Sequence, residues 1–468
     1  MQKFKPVITD QLFLLPPSIE DFIPQGHLAR VVNDIVETID VSAIEKKYSL
    51  LGQKSYHPHL LLKLLFYGYS TGVRSGRKIA MACQQDTAYM YLACMYRPDF
   101  RTINDFRKDN LSFVHDCFSH IVQICKQLGM AKAGSLILDG TKLRANASGS
   151  QSKNKEQYEQ WLEKVENDIT DMLSEAERND EAEDKLYGND RGDELPKELH
   201  SKQRLKEKIK AALEKIKDDK QRINLTDNDA KYIMGKTGID TNYNCQAAIT
   251  EDGIIVGAYT SNNPSDRSET IRSIEVAEQT SKEKYDTIIA DSGYASYGHF
   301  ETLHNCNKNI YMPDQAMLTE KEDEQKNPYH RNNFIYDSTK NIFKCPEQQE
   351  LTYKRTSNDN KRKQFVDVYE CKECPACDKR SLCTKGKYRN LNVEKREWLR
   401  KEIREQLQSI KGQIIYKKRM LIESVFGVLK HNLKYLDLNL RGIEKTTAEW
   451  QLICIGYNIK RIHKLKLS

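Results

Sequence analysis

The chain has 468 residues, of which 38% are hydrophobic and 30% are charged, so it is polar but long enough to bury the cores of two or three domains. No apolar run approaches the roughly 20 residues that a membrane helix needs, and the apolar residues 12–15 near the N-terminus are too few for a signal peptide. The formal net charge of +7 is a mild excess, and we expect a cytoplasmic protein with no membrane partner.

Residues 1–130 have the pattern of a helical domain. Pro58 follows His57 at a predicted helix start, and leucines then repeat with helical spacing. Thr102 followed by Asp105 predicts the start of another helix, which runs towards Gly129. Basic residues punctuate the domain, namely Arg74, Arg77, Lys78, Arg97, Arg101, Arg107 and Lys108. This pattern fits a helix-turn-helix-like DNA-binding unit, and it fits a helical dimerisation domain nearly as well.

From residue 131 onwards, short apolar runs predict the strands of a mixed α/β sheet. Residues 135–138 form an apolar run that ends at Asp139, and residues 287–290 form another that ends at Asp291. Between them, residues 240–260 alternate around a turn and predict a hairpin. An aspartate after a strand is most often a turn former, but this end of a strand is also where α/β sheets bind ligands. Asp139 and Asp291 are therefore candidate site residues.

Two segments interrupt the predicted sheet. Residues 152–224 are strongly charged, and apolar residues with heptad spacing predict an antiparallel helical hairpin of residues 155–183 and 197–222. Residues 314–390 hold five of the twelve cysteines, namely Cys345, Cys371, Cys374, Cys377 and Cys383. Without a secretory signal, metal binding is favoured over disulfides. A structural Zn²⁺ is the first interpretation, and an iron–sulfur cluster or free thiols are the alternatives.

The C-terminal region is basic and has an unusual helix. Residues 385–468 contain 20 Lys and Arg against 8 Asp and Glu, a local charge of +12, as phosphate-backbone binding requires. A solvated basic helix face would have the same composition. On one helix, Tyr416, Arg419, Glu423 and Lys430 would point to about 0°, 300°, 340° and 320°. One face would then carry a single acid among cations, which favours binding of phosphate and metal together.

These four residues match the Y-x2-R-x3-E-x6-K motif, by which the chain resembles DDE transposases of bacterial insertion sequences. Asp139 in Leu-Asp-Gly-Thr and Asp291 in Ala-Asp-Ser-Gly-Tyr resemble the first and second acids of that family. Residues 56–79 are similar to the N-terminal domain that such enzymes carry. The resemblance spans most of the chain and is loosest in the two inserted segments.

The resemblance implies an RNase H-like catalytic domain over residues 131–468, interrupted by segments 152–224 and 314–390. Asp139, Asp291 and Glu423 would converge and hold two Mg²⁺, for which Mn²⁺ could substitute. Tyr416, Arg419 and Lys430 would contact DNA. The implied activity is cleavage at terminal inverted repeats and strand transfer into target DNA, by a homodimer or higher oligomer in the nucleoid. A nuclease of the same fold and a non-catalytic DNA-binding regulator are the alternatives.

Overall fold

The computed structural model describes residues 18–48, 55–187, 197–219, 221–235, 238–317, 320, 325–359 and 364–467. Its N-terminal part is helical, as the sequence predicts. The helices there are Leu28–Glu37 (α1), Ser42–Glu45 (α2), Pro58–Thr71 (α3), Gly76–Gln85 (α4), Thr87–Leu92 (α5), Phe100–Asp109 (α6) and Leu111–Gln127 (α7). Within these described ranges, no helix combines the length and apolar character needed to cross a membrane.

Helix starts in this part follow local side-chain caps. α3 begins at Pro58, as predicted, and the His57 ring nitrogen accepts a hydrogen bond from the His59 backbone N–H at 3.2 Å. α6, however, is capped by Asp99, which accepts from the backbone N–H of Thr102 at 3.2 Å. The predicted start at Thr102 is wrong because this carboxylate, three residues earlier, binds the first free N–H groups. The single helix predicted towards Gly129 is also wrong, since it is divided between α6 and α7.

Two of the basic residues assigned to the helical domain have structural roles. Arg107 is buried, and it donates to the Tyr69 hydroxyl at 3.0 Å and to the Arg74 carbonyl at 3.2 Å. Arg74 in turn forms an ion pair with Asp437, in the C-terminal part of the chain. These arginines therefore join the helical part to the rest of the protein.

A sheet with mixed strand directions forms the centre of the molecule. Its strands are Ser135–Arg144 (β1), Lys231–Gly235 (β4), Gly238–Thr250 (β5), Ile255–Ser261 (β6), Thr287–Ile289 (β7) and Asn309–Tyr311 (β8). β1 is central, with antiparallel β5 on one side and parallel β7 and then β8 on the other. β5 also pairs with β4 and β6, so β5 and β6 form the hairpin predicted at residues 240–260. Helices Thr270–Ser281 (α10) and Tyr297–Asn305 (α11) connect the later strands.

The charged segment after β1 contains a pair of helices. A short strand pair, Ser152–Lys153 (β2) and Ile223–Asn224 (β3), closes its base. Helix Lys155–Tyr187 (α8) packs against helix Lys197–Glu214 (α9), which ends earlier than the predicted residue 222. Val165, Ile169, Ile209 and Ala212 are buried in a hydrophobic cluster that is separate from the main core. The predicted heptad stripes therefore pack on each other.

The cysteine-containing segment has a sheet of its own, which the sequence patterns did not predict. Its five strands are all antiparallel, namely Ile335–Asp337 (β9), Ile342–Lys344 (β10), Glu350–Asp359 (β11), Gln364–Cys371 (β12) and Arg389–Glu394 (β13). A short helix, Arg380–Cys383 (α12), lies between β12 and β13. A third hydrophobic cluster around Phe343, Leu351 and Leu391 forms the core of this sheet.

Four helices complete the chain, namely Glu397–Gln408 (α13), Ile410–Lys417 (α14), Met420–Gly427 (α15) and Ile443–Leu467 (α16), with a π-helical turn, Val428–Asn432, after α15. α16 is buried along most of its length and contacts α3, α7 and β6. It therefore binds the helical domain and the central sheet into one main hydrophobic core.

Candidate active site and cysteine pocket

The register of the central sheet brings Asp139 and Asp291 together. β1 and β7 pair in parallel up to Ile137 opposite Ile289. Asp139 lies two residues after Ile137, and Asp291 lies two residues after Ile289. The two aspartates are therefore on neighbouring segments of the chain, at the level where β7 ends. Their mutual proximity therefore follows from the strand pairing, although 152 residues separate them in sequence.

The sequence predicted that Asp139 lies at the end of a strand. This is wrong, because Asp139 lies within β1. β1 continues through Gly140 to Arg144, because β5 supplies a partner for each of these residues. The Asp139 carboxylate accepts a hydrogen bond from the Gly140 N–H at 2.8 Å. Burial and then the charge of Asp291 raise the pKa of Asp139 to about 7, against the opposing effects of this hydrogen bond and of Arg419.

Asp291 caps the short helical turn that follows β7. Its carboxylate accepts from the Gly293 N–H at 2.8 Å. Burial is the largest influence and raises the pKa of Asp291, and the charge of Asp266 adds to it. The Gly293 hydrogen bond, Arg419 and Lys142 oppose this rise. The two aspartates thus form a half-buried pair in which each negative charge is unfavourable without a nearby cation.

Asp266 is a third acid of this cluster, and sequence reasoning missed it. It lies before α10, and it accepts hydrogen bonds from Lys142 at 3.1 Å, from Asn244 at 2.7 Å and from Gln246 at 2.7 Å. The only sequence signal is that Asp266 begins a short helical turn, which Ser265 caps. Its position beside Asp139 depends on the register of β1 and β5, which no local pattern specifies.

A buried polar network supports this side of the sheet. Gln246 is fully buried and accepts a hydrogen bond from the Tyr294 hydroxyl at 2.5 Å. A Cβ atom at Gly140 would lie 2.4 Å from the Gln246 side-chain nitrogen and 2.6 Å from an Asp266 oxygen. Only glycine therefore fits directly after Asp139, and the packing fixes the strand on which Asp139 is carried.

Glu423 is connected to the aspartates through Arg419. Arg419 forms an ion pair with Glu423, and its charge also opposes the rise in pKa of Asp139 and of Asp291. Arg419 is therefore within electrostatic reach of all three predicted acids. The Glu423 side chain is 52% exposed, whereas both aspartates are half-buried.

The four motif residues do not share one continuous helix, contrary to the prediction. α14 ends at Lys417, α15 begins at Met420, and Lys430 lies in the π-helical turn. No proline or glycine marks the break between α14 and α15, so no local sequence pattern predicts it. π-helical turns are frequent at functional sites.

Tyr416 and Lys430 lie beside the acids in different ways. Tyr416 is half-buried, and burial raises the pKa of its phenol, a rise that the charge of Arg419 opposes and that of Asp291 increases. The Lys430 ammonium donates to the Lys142 carbonyl at 3.4 Å. The motif therefore lies along β1, from the level of the aspartates to Lys142.

The donor chemistry of the cluster fits a divalent cation. Within the part of the chain that the structure describes, no three His, Cys, Asp or Glu side chains are placed as a group that could hold a metal ion. The half-buried pair Asp139 and Asp291 nevertheless offers hard oxygen ligands whose charges a cation would balance. The catalytic assignment of these two residues and of Glu423 stays a prediction.

All five cysteines of the inserted sheet line one pocket. Cys345, Cys371, Cys374, Cys377 and Cys383 surround a cavity of about 20 Å³ together with residues that include Tyr329, Phe334 and Arg389. This volume is about enough for one water or ion. Burial and the neighbouring Cys374 raise the pKa of Cys371 to about 12, so the thiol of Cys371 is neutral near pH 7 unless a cation is bound.

Polar groups around this pocket are directed at its sulfur atoms. The backbone N–H of Gln349 donates to Cys345 Sγ at 3.2 Å, and that of Arg389 donates to Cys374 Sγ at 3.4 Å. Among the described residues, the Arg389 Nε is buried and has no hydrogen-bond partner. A cluster of metal-bound thiolates would be stabilised by these backbone N–H donors and by the positive charge of Arg389.

Two parts of the chain match known protein families. Residues 344–463 match a family described as a transposase DDE domain, and residues 17–109 match one described as a transposase domain (DUF772). The first match includes Glu423 and all five pocket cysteines, but it does not reach Asp139 or Asp291. No curated protein has a matching sequence.

Proposed function

Because the two matched regions indicate a DDE-type insertion-sequence transposase, we propose that this protein binds the terminal inverted repeats of its element, cuts DNA at their ends and joins the cut strand to target DNA. The observation that carries this proposal is the pairing of β1 with β7, which places Asp139 beside Asp291. A half-buried pair of carboxylates is suited to binding divalent cations.

In this proposal, Asp139, Asp291 and Glu423 hold two Mg²⁺, or Mn²⁺ in its place. Bound there, the metal would activate the attacking oxygen and stabilise the leaving oxygen of the DNA strand. Arg419, which is ion-paired with Glu423, would hold Glu423 near the aspartates. When DNA is bound, a backbone phosphate would compete for the Arg419 guanidinium and leave Glu423 available to the cations.

Cationic and aromatic groups beside the acids would position the DNA. Lys430 and Arg419 are suited to phosphate contacts, and half-buried Tyr416 could stack or hydrogen-bond at the transposon end. The helical domain of residues 1–130 would contact DNA or a second protomer, and we propose a homodimer or higher oligomer on DNA, in the cytoplasm and at the nucleoid.

The catalytic domain of residues 131–468 is assigned to the RNase H-like fold. Support comes from central β1, with antiparallel β5 and β6 on one side and parallel β7 and β8 on the other. Segments 152–224 and 314–390 would be insertions in this fold. The first carries α8 and α9, and the second carries the cysteine sheet.

For the cysteine pocket, we propose a structural Zn²⁺ bound by four of the five thiolates. Metal analysis of the purified protein should find about one zinc per chain. Replacing Cys374 with Ser should release it and lower the melting temperature, whereas replacing the exposed Cys306 should change neither. Iron with sulfide would identify the pocket as an iron–sulfur site, and absence of any metal from the parental protein would overturn both interpretations.

Strand joining distinguishes a transposase from a nuclease or a DNA-binding regulator. The parental protein would be incubated with Mg²⁺, a plasmid target and a labelled, pre-cut duplex of the inverted repeat that flanks its gene. We expect joined products from the parental protein and none from Asp139→Asn. Cutting without joining would favour the nuclease, and binding without either reaction would favour the regulator.

A further inference from the structure

A polar groove lies at the end of β1, beyond the candidate active site. Its cavity of about 510 Å³ is open, and its lining includes Arg144, Asn146, Ser148, Asn439 and Arg441. This volume is within the range of sites that hold small molecules or a nucleotide-sized group. All five of these residues are exposed, so the groove is accessible from solvent.

The chain after the π-helical turn builds one wall of this groove. The backbone N–H of Arg144 donates to the Leu436 carbonyl at 3.2 Å, and that of Leu438 donates to the Arg144 carbonyl at 2.8 Å. Residues 436–438 therefore extend the sheet beside the end of β1, next to the motif that ends at Lys430. The groove and the candidate active site share one rigid strand.

Side-chain contacts hold two guanidinium groups at this wall. Arg441 donates to the Asn146 carbonyl at 2.7 Å and to its side-chain oxygen at 3.4 Å. Arg144 lies 3.5 Å from Asp437, with its side chain still 61% exposed. Asp437, the one acid that lines the groove, is also ion-paired with Arg74, which lies outside the groove. The negative charge of Asp437 is therefore shared between Arg144 and Arg74.

Cations of β1 lie between this groove and the aspartates. Alternate residues of a strand share a face, so Lys142 and Arg144 point to one side of β1 and Asp139 points to the other. The charge of Lys142 still reaches Asp291 on the neighbouring segment. Lys430 contacts the Lys142 carbonyl from the neighbouring turn. Arg144 is five residues beyond Asp139, a distance of about 16 Å along a strand. This equals about five nucleotides of rise along one DNA strand.

From these contacts we propose that Arg144 and Arg441 bind a backbone phosphate of the same DNA whose scissile bond reaches Asp139 and Asp291. The ligand is a phosphodiester about five nucleotides or fewer from the cut. Two guanidinium groups fit its oxygen atoms better than ammonium groups would, because each presents paired N–H donors. This site rests on the proposed function, since its ligand is the DNA substrate.

The first test measures binding of the labelled inverted-repeat duplex across a salt series. The double variant Arg144→Ala/Arg441→Ala should bind about tenfold more weakly near 0.15 M salt, with a salt slope smaller by one to two. Arg441→Lys in an otherwise parental chain should keep most of the slope because it keeps the charge. Lys284→Ala, which removes an 82% exposed cation from the end of α10, should bind like the parental protein. A melting-temperature measurement checks that the variants are folded.

The second test locates the phosphate. Single methylphosphonate linkages, which are uncharged, would be placed one at a time along the duplex. One or two positions within about five nucleotides of the cut should weaken binding by the parental protein but not by the double variant. The proposal is overturned if the double variant responds to every position as the parental protein does, or if it binds the unmodified duplex equally well.

Failure of this site can be distinguished from failure of the proposed function. Asp139→Asn should bind the same duplex normally and respond to the same methylphosphonate positions, but it should not cut. If Asp139→Asn cuts at the parental rate, the active-site assignment is wrong while the phosphate site is still judged by binding alone. If only the binding tests fail, the active site is unaffected.

Discussion

The pair Asp139 and Asp291 can be compared with a second pair of partly buried acids, Asp314 and Glu320, beside α13. Burial alone would raise the pKa of Asp314, but hydrogen bonds from Arg404 at 2.5 and 2.6 Å hold it below its usual value. Glu320 behaves in the same way, with Arg400 at 3.1 Å as the first of its two arginine partners.

At the candidate active site the balance is reversed, and the pKa of both aspartates is raised. The nearby cations are engaged elsewhere, since Arg419 is paired with Glu423 and Lys142 with Asp266. The comparison teaches that burial does not by itself indicate function. Acids matched by arginines stabilise the fold, whereas a half-buried pair without matched cations is suited to bind cations from solution.

The largest expected effect is loss of catalysis at the site. Glu423→Gln keeps the size of the side chain but removes a charge on which the proposed metal site would depend, so cleavage of the labelled end should fall by orders of magnitude. DNA binding should be unchanged, because Lys and Arg contacts provide it. Glu405→Gln on α13 is the matched control and should cut normally. Parental cleavage by Glu423→Gln would show that this residue is not a ligand.

The arginine-matched cluster should respond through stability instead. Arg404→Met leaves Asp314 and Glu320 with one arginine fewer, and removing one partner of a buried ion pair typically costs about 3 kcal/mol or more. Urea denaturation at pH 7 would measure this loss. Affinity for Mn²⁺ should not change. A stability close to the parental value would contradict the structural role given to this cluster.

Removing a charge from the active-site pair should have the opposite effect on stability. The pKa of Asp139 is about 7 in the folded protein, above its unfolded value near 3.9. Its ionisation therefore opposes folding increasingly as pH rises between these values, and the cost is fully present above about pH 7. Metal-free Asp139→Asn should be more stable than the parental protein at pH 8, by on the order of 2 kcal/mol.

The same comparison at low pH provides the control for this prediction. Below about pH 3 the carboxyl group is neutral in both the folded and the unfolded protein, so the advantage of Asp139→Asn should disappear. Thermal melting in the presence of a chelator at both pH values would measure it. If the stability advantage of Asp139→Asn did not depend on pH, ionisation of Asp139 would not be the cause of the advantage.

The smallest expected effect concerns DNA affinity beside the acids. Lys430→Ala should weaken end binding several-fold and lower its salt slope by about one, as expected for one phosphate contact. Lys401→Ala, on the exposed side of α13, is the matched control. An unchanged salt slope in Lys430→Ala would show that Lys430 does not contact a DNA phosphate.

The sequence predicted the features that depend on local pattern and the motif that carries the family resemblance. The start of α3 at Pro58, the hairpin of β5 and β6 and the mixed sheet follow from spacing and turn signals. The role of Asp266 did not, because it depends on the pairing of β1 with β5. The break between α14 and α15 has no local marker. The strands of the cysteine-containing segment were also not predicted from the sequence patterns.

Binding of Mn²⁺ tests the central claim most directly, because it examines the acid pair without DNA. Calorimetric titration of the parental protein should show affinity about tenfold higher at pH 8 than at pH 6, since deprotonation of Asp139 near pH 7 must precede binding. Asp139→Asn and Asp291→Asn should each lose this binding, whereas Asp314→Asn should keep it. Equal affinity in the parental protein and Asp139→Asn, at both pH values, would contradict the account.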